Sequence, residues 1–200
     1  MDKDARNKLL EAAQQLFSMK GYEAVSLRDL AEASDVNTAL ISYHFGGKQG
    51  LYDAVLEANF HAFFEGLNVS QCEKLEPEER VLEFVKNIIA VHKRNPYLRN
   101  IMNSELSRPS ESFEKIIMPK VAELYKFFSA TIREGIDKGY FRKDLDPVLA
   151  PLAVIGLIQF YFVESAMIKR IFPVSENVDE DFGAQVVKIY FDGIRNQEKR

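Results

Sequence analysis

Between Asn37 and Lys48 the chain places an amide, two hydroxyls, a phenol, an imidazole and an amine in one short run, NTALISYHFGGK. Such groups donate and accept hydrogen bonds, but their spacing matches no catalytic pattern. The sequence holds no Gly-rich phosphate loop and no Gly-x-Ser-x-Gly elbow. Histidine occurs only at His44, His61 and His92, and cysteine only at Cys72. His61 and His92 fall on different expected helices, and nothing marks them as a metal pair. No enzyme activity, metal or cofactor is expected. What the run can do is lie against a polar surface. Thr38 and Ala39 offer a hydroxyl and a methyl of the kind that meet base edges, including the thymine methyl. Ser42, Tyr43 and His44 can donate to phosphate oxygens. Lys48 follows a glycine pair at a helix start, where backbone N–H groups also favour phosphate.

Local signals place this run on a short helix. Leu9, Ala13, Leu16 and Phe17 share one face of a first helix, about Asp4–Met19, which Gly21 ends. Ser26 with Asp29 three residues on forms a variant capping box for a second helix, ending near Ala33. Ser34-Asp35-Val36 is a turn. Asn37 caps a third helix that stops at Gly46-Gly47, and Val36 with Ile41 forms a hydrophobic staple at its start. Two short helices joined by a tight turn, with a third packed before them, make a helix-turn-helix, whose second helix enters the DNA major groove. Val36, Leu40 or Ile41, and Phe45 should then face inward, and Asn37, Thr38, Ala39, Ser42, Tyr43 and His44 outward.

Bulk composition neither supports nor excludes this. The 200 residues are 46% hydrophobic and 28% charged, ordinary for a globular protein with a real core. Net charge is −4. Residues 1–50 carry six Lys/Arg against seven Asp/Glu, a net of −1. The nucleic-acid reading rests on local geometry, not on a basic domain. One cysteine and a charged N-terminus suit the cytoplasm. The apolar run Val148–Val163 is shorter than the roughly 20 residues a bilayer needs, so no membrane partner is expected.

The segment LLEAAQQLFSMKGYEAVSLRDLAEASDVNTALISYHFGGKQGLYDAVLE resembles the DNA-binding domain of TetR-family transcriptional regulators. The features that carry the resemblance are Ala12 to Phe17, Gly21-Tyr22, Ser26, Leu30-Ala31, Val36, Tyr43-His44-Phe45, Lys48 and Leu51. The segment around ELSRPSESFEKIIMP is similar to CecR-like members. The resemblance implies an all-α fold: an N-terminal three-helix helix-turn-helix DNA-binding domain and a larger C-terminal helical domain for ligand binding and dimerisation. The expected domains are 1–50 and 51–200, linked by a helix over about 48–65. The implied function is that of a repressor, a homodimer on a palindromic DNA operator, released by a small-molecule effector. The alternative is a helical homodimer that binds a small molecule or serves as structure without touching DNA. DNA-contact candidates are Arg28, Asn37, Thr38, Ala39, Leu40, Ser42, Tyr43, His44 and Lys48. Three departures from the family pattern stand out: Asp35 where Gly is usual, Leu40 for a common Thr, and Ser42 where Tyr is usual.

The remaining helices are expected at about Glu78–Arg94, Tyr97–Leu106, Phe113–Lys138, Pro147–Lys169 and Glu180–Asn196, after a break over Asn68–Pro77. Their aromatic and aliphatic stripes fit either core or an apolar ligand site. The pocket candidates are Phe60, Phe63, Phe64, Phe84, Ile88, Met102, Phe113, Ile117, Val121 and Phe128, with His92, Asn103, Glu105, Tyr125 and Gln159 as polar anchors. So many Phe and so few central charges point to an apolar or aromatic effector. Leu152, Ile155, Phe160, Val186, Val187, Tyr190 and Ile194, on the last two helices, suit a four-helix subunit interface.

Overall fold

The structure is a computed structural model that describes residues 2–173 and 175–195. The fold is all-α, and among the described residues the only extended pairing is an isolated bridge between Phe141 and Arg195. The helices are α1 (Asp2–Lys20), α2 (Leu27–Ser34), α3 (Thr38–Phe45), α4 (Lys48–Leu67), α5 (Val69–Cys72), α6 (Pro77–Arg94), α7 (Pro96–Ser107), α8 (Met118–Asp137), α9 (Leu149–Ile171) and α10 (Val178–Ile194).

The local caps explain where the first helices begin and stop. Ser26 Oγ accepts from the Asp29 N–H at 3.1 Å, and the Asp29 carboxylate accepts from the Ser26 N–H at 2.8 Å, a complete capping box. Hydrogen bonds from Ser26 hold the Asp29 carboxyl below its usual range. Asn37 Oδ1 accepts from the Ala39 N–H at 2.8 Å. Gly46 and Gly47 take φ of 73° and 125°, left-handed values that stop α3 where a side chain would be strained. Asp35 is also left-handed, at φ 54°, and its N–H closes α2 onto Ala31 and Glu32. Asp35→Gly should therefore stabilise the fold by up to about 1 kcal/mol, since glycine bears no cost at that φ. Thermal melting checks it, and a lower melting point would show that the carboxylate itself matters to the turn.

Three of the departures from the expected boundaries have a local cause in the structure. The break after α4 holds one turn of helix, α5, with Cys72 buried in it. The long helix expected from Phe113 opens as a π-turn over Phe113–Ile117, with the Met118 N–H donating to the Phe113 carbonyl. Pro119 has no N–H to give the Lys115 carbonyl, so the regular ladder cannot form at that point and the turn widens. The helix expected from Pro147 starts two residues later. Asp146 Oδ1 accepts from the N–H groups of Val148 and Leu149, at 2.7 and 3.0 Å, and so fixes the start. The last helix ends at Ile194, with Arg195 already extended, short of the expected end at Asn196, which lies outside the described residues.

The chain forms two compact units. The first runs to Ala62 and takes in Asn95–Pro119; the second is Phe63–Arg94 with the chain from Lys120 onward. These units do not coincide with the expected domains, 1–50 and 51–200. α4 begins in the first unit and ends in the second, and α7 packs on α1 and joins the first. The first core gathers Leu9, Ala13 and Phe17 of α1 with Leu30, Ile41, Leu51 and Val55, all buried. Leu16 is half-buried and Leu27 is exposed, so the inner faces are narrower than the apolar spacing suggests. In the second unit α6 packs on α5, α9 and α10, around Phe84, Phe128 and Phe141.

Candidate nucleic-acid interface

α3 is eight residues long and buries one of them fully, Ile41. This settles which of Leu40 and Ile41 turns inward. Leu40, Val36 and Phe45 are half-buried. Thr38, Ala39, Ser42 and Tyr43 are exposed, and Tyr43 has 72% of its surface open. A ring that open, on a fully capped helix, contributes little to the core. Asn37 is exposed as well, though its side-chain oxygen is engaged in the cap. His44 departs from its expected place. It is half-buried, edge-on to Tyr43 at 5.0 Å and to Phe45 at 6.1 Å, so part of its ring is already covered by its neighbours. From Thr38 to Lys48 there is no acidic residue. α3 and the turn after it therefore carry no negative charge, even though residues 1–50 carry a net −1.

Two cations are fixed beside this face. The Lys48 ammonium lies 4.2 Å from the centre of the Tyr22 ring, and the Glu23 carbonyl accepts from it at 3.5 Å. The Arg6 guanidinium lies 5.2 Å from the Phe45 ring centre. Arg6 was missed by the sequence reading; a basic residue three before Leu9 was the available signal. Arg28 is exposed on α2.

The start of α4 is held from behind by a polar cluster. Tyr22 donates to Gln49 Oε1 at 2.7 Å, and Gln49 Nε2 donates to Ser112 Oγ at 2.6 Å and to Asp53 Oδ1 at 2.9 Å. Ser112 donates in turn to Asp53 at 2.5 Å. Tyr52 donates to Glu105 Oε1, and Glu105 Oε2 accepts from the Ser110 N–H at 2.8 Å. Burial first, and then the bond to Glu105, push the Tyr52 hydroxyl well above its usual range, so it stays a donor. The segment between α7 and the π-turn is thereby tied to the helix that carries Lys48.

The pocket candidates fall into separate groups. In the first unit Phe60 and Phe113 meet at 5.8 Å and are buried with Met102 and Ile117. Glu105 is buried there with both oxygens occupied by Tyr52 and Ser110, and Asn103 is exposed. In the second unit Phe84 packs on Phe128 at 4.0 Å beside buried Ile88. His92 is buried, stacked on Phe162 at 4.6 Å and near Phe63 at 6.2 Å. Phe64 is half-buried with Lys120 over its ring, and Val121 and Tyr125 are half-buried. Burial raises the Tyr125 hydroxyl above its usual range. The side-chain nitrogen of Gln159 is buried without an acceptor among the described residues.

The interface candidates split as well. Leu152 and Phe160 are exposed on α9 and Ile155 is half-buried. Val186, Tyr190 and Ile194 are buried inside the protomer, and the Tyr190 hydroxyl donates to the Ala150 carbonyl at 2.9 Å. They cannot offer their surface to a partner, because α9 and the rest of the second unit already cover them. Val187 is half-buried against a groove shared with α6.

The pattern defining the bacterial regulatory proteins of the tetR family matches residues 9–55, and that of the tetracyclin repressor-like C-terminal domain matches residues 77–182. The chain belongs to the TetR family. It is a DNA-binding transcriptional regulator with a helix-turn-helix, and not an enzyme. YttP of Bacillus subtilis is 27% identical over 137 residues, 68% of this chain and 66% of that protein. The transcriptional repressor NicS of Pseudomonas putida is 26% identical over 162 residues, 78% of this chain and 74% of NicS. The fold is shared with AibR, solved with isovaleryl coenzyme A and operator DNA: TM-score 0.77, 20% identity, covering 94% of this chain and 99% of AibR.

Proposed function

We propose that this TetR-family chain is a cytoplasmic homodimeric repressor that reads a palindromic operator with α3 and is released by a small apolar or aromatic effector. The observation that carries the reading is α3 itself: a doubly capped helix without an acidic residue that buries Ile41 and leaves Thr38, Ala39, Ser42 and Tyr43 open. Repression is favoured by relatives named as repressors, NicS and the Mycobacterium tuberculosis KstR2, which is 24% identical over 142 residues. Residues 1–50 form the reading domain and 51–200 the responding one. Arg28 and Lys48 meet phosphate; Thr38, Ala39, Ser42 and Tyr43 meet the groove, with Asn37, Leu40 and His44 at its margin. Two copies present two such helices to half-sites about 34 Å apart. Effector binding favours a conformation in which that separation no longer fits, with α4 carrying the change, and the loss of affinity equals the difference in effector affinity between the two conformations.

Two substitutions test the assignment on an operator selected from random duplexes. Tyr43→Ala should weaken specific binding by about 1–3 kcal/mol. An unchanged gel-shift titration would remove Tyr43 from the reading surface. Lys48→Ala should weaken binding to all duplexes alike and reduce the slope of log affinity against log salt by about 1 for each Lys48 engaged. A slope equal to that of the parent protein would count against phosphate contact.

A further inference from the structure

A groove of about 680 Å³ runs along the second unit between α6 and α10. It is within the range of small-molecule sites, roughly 300–1,000 Å³. Its walls are Leu82, Val85 and Ile89 from α6 and Ala184 and Val187 from α10, with no aromatic side chain. That is notable in a chain with 15 Phe and 8 Tyr. The floor is set by Gly183, where a Cβ would stand 2.3 Å from Ile89 Cδ1, so the two helices close beneath the groove. Small residues at Ala90 and Ala184 keep its mouth open.

The rim is charged unevenly. Lys86, Lys93 and Arg94 line it against a single acid, Glu180. Glu180 is paired with Lys93, and Lys86 is paired with Glu83 at 3.4 Å. Arg94 has no partner among the described residues. The fork of a guanidinium takes a carboxylate through two parallel hydrogen bonds, which an ammonium cannot do. Aliphatic walls beside an uncommitted guanidinium select a ligand with a saturated hydrocarbon body and one carboxylate. A planar aromatic ring finds nothing to stack on, and Glu180 repels a second anionic end.

We infer that the α6–α10 groove is a binding site for an aliphatic monocarboxylate, its chain against Val85, Ile89 and Val187 and its carboxylate on Arg94. None of the aromatic residues named from the sequence lines this groove, and the site stands whether or not the chain is released from DNA by an effector. The test uses the full chain and isothermal titration with decanoate and with decan-1-ol, which has the same tail without the charge. Decanoate should bind saturably and at least tenfold more tightly than the alcohol. Arg94→Gln should bring the two ligands level. Ala184→Trp, at an exposed position on the groove wall, should abolish binding of both while melting temperature and DNA affinity stay at the parent values. Absence of saturable decanoate binding, equal binding of the alcohol, or a preference that survives Arg94→Gln would each overturn the inference. So would a change of sedimentation on Ala184→Trp, which would make the groove a contact between copies of the chain.

Discussion

Gly50→Ala should lower operator affinity at least tenfold and lower the melting temperature as well. For an ordinary helical glycine the expectation runs the other way: alanine gains about 0.8–1.0 kcal/mol of helix propensity. Gly50 is not ordinary. A Cβ built there stands 1.8 Å from the carbonyl oxygen of Phe45 and 3.0 Å from its carbonyl carbon. Both are backbone atoms of the last turn of α3, so no rotamer change relieves the clash. Relief requires the first turn of α4 to move away from α3. The next residues along that turn, Leu51 and Tyr52, are buried, and Tyr52 is bonded to Glu105. Overpacking of this kind costs about 1–3 kcal/mol, which outweighs the propensity gain. The same displacement changes the placement of Lys48 relative to α3, so the surface proposed to face DNA is altered together with the core. Gly193, which has no atom within 4 Å of its would-be Cβ, is the control. Gly193→Ala should leave DNA binding unchanged. Parent-like affinity with a raised melting point for Gly50→Ala would mean that the α3–α4 approach is not what fixes the surface.

The parts of the fold legible in the sequence are those decided within a turn or two of chain. Ser26 with Asp29, Asn37 with Ala39, and Gly46 bond to near neighbours, so residue type and spacing were enough to place α2 and α3. Asp35 in a left-handed turn was legible for the same reason. The joining of α7 and the π-turn to the first unit was not, because it depends on Tyr52 meeting Glu105 and Gln49 meeting Ser112, residues far apart in the chain. Apolar periodicity marks which face of a helix is covered but not what covers it. Val186, Tyr190 and Ile194 have the same spacing whether α9 or a second subunit lies over them; here it is their own protomer. The Phe stripes carry the same ambiguity between core and pocket, and the groove between α6 and α10 is made by small residues that no hydrophobic stripe announces.

That ambiguity is resolvable at α9, where Phe160→Asp should separate the proposed dimer into monomers without unfolding them. Phe160 is 66% exposed, and Leu152, Leu157, Met167 and Ile171 are exposed along the same helix, with Ile189 at 64% on α10. A single protomer gains nothing from this apolar surface, so a charge at Phe160 costs the isolated fold little. Within a two-fold interface each substitution appears twice. Each aspartate would be buried without a partner, at a cost of about 3–5 kcal/mol where a charge is left uncompensated. Far-ultraviolet circular dichroism should therefore be unchanged while sedimentation shows monomers. Operator affinity should fall by a further factor of about 10²–10⁴, because the second half-site contact is no longer intramolecular. Tyr190→Asp should behave differently. Its ring is buried in the protomer and its hydroxyl serves the Ala150 carbonyl, so helicity itself should fall. If Phe160→Asp instead sediments as a dimer, the exposed face of α9 is not the contact between copies, and the outer face of α10 around Ile189 takes its place in the proposal.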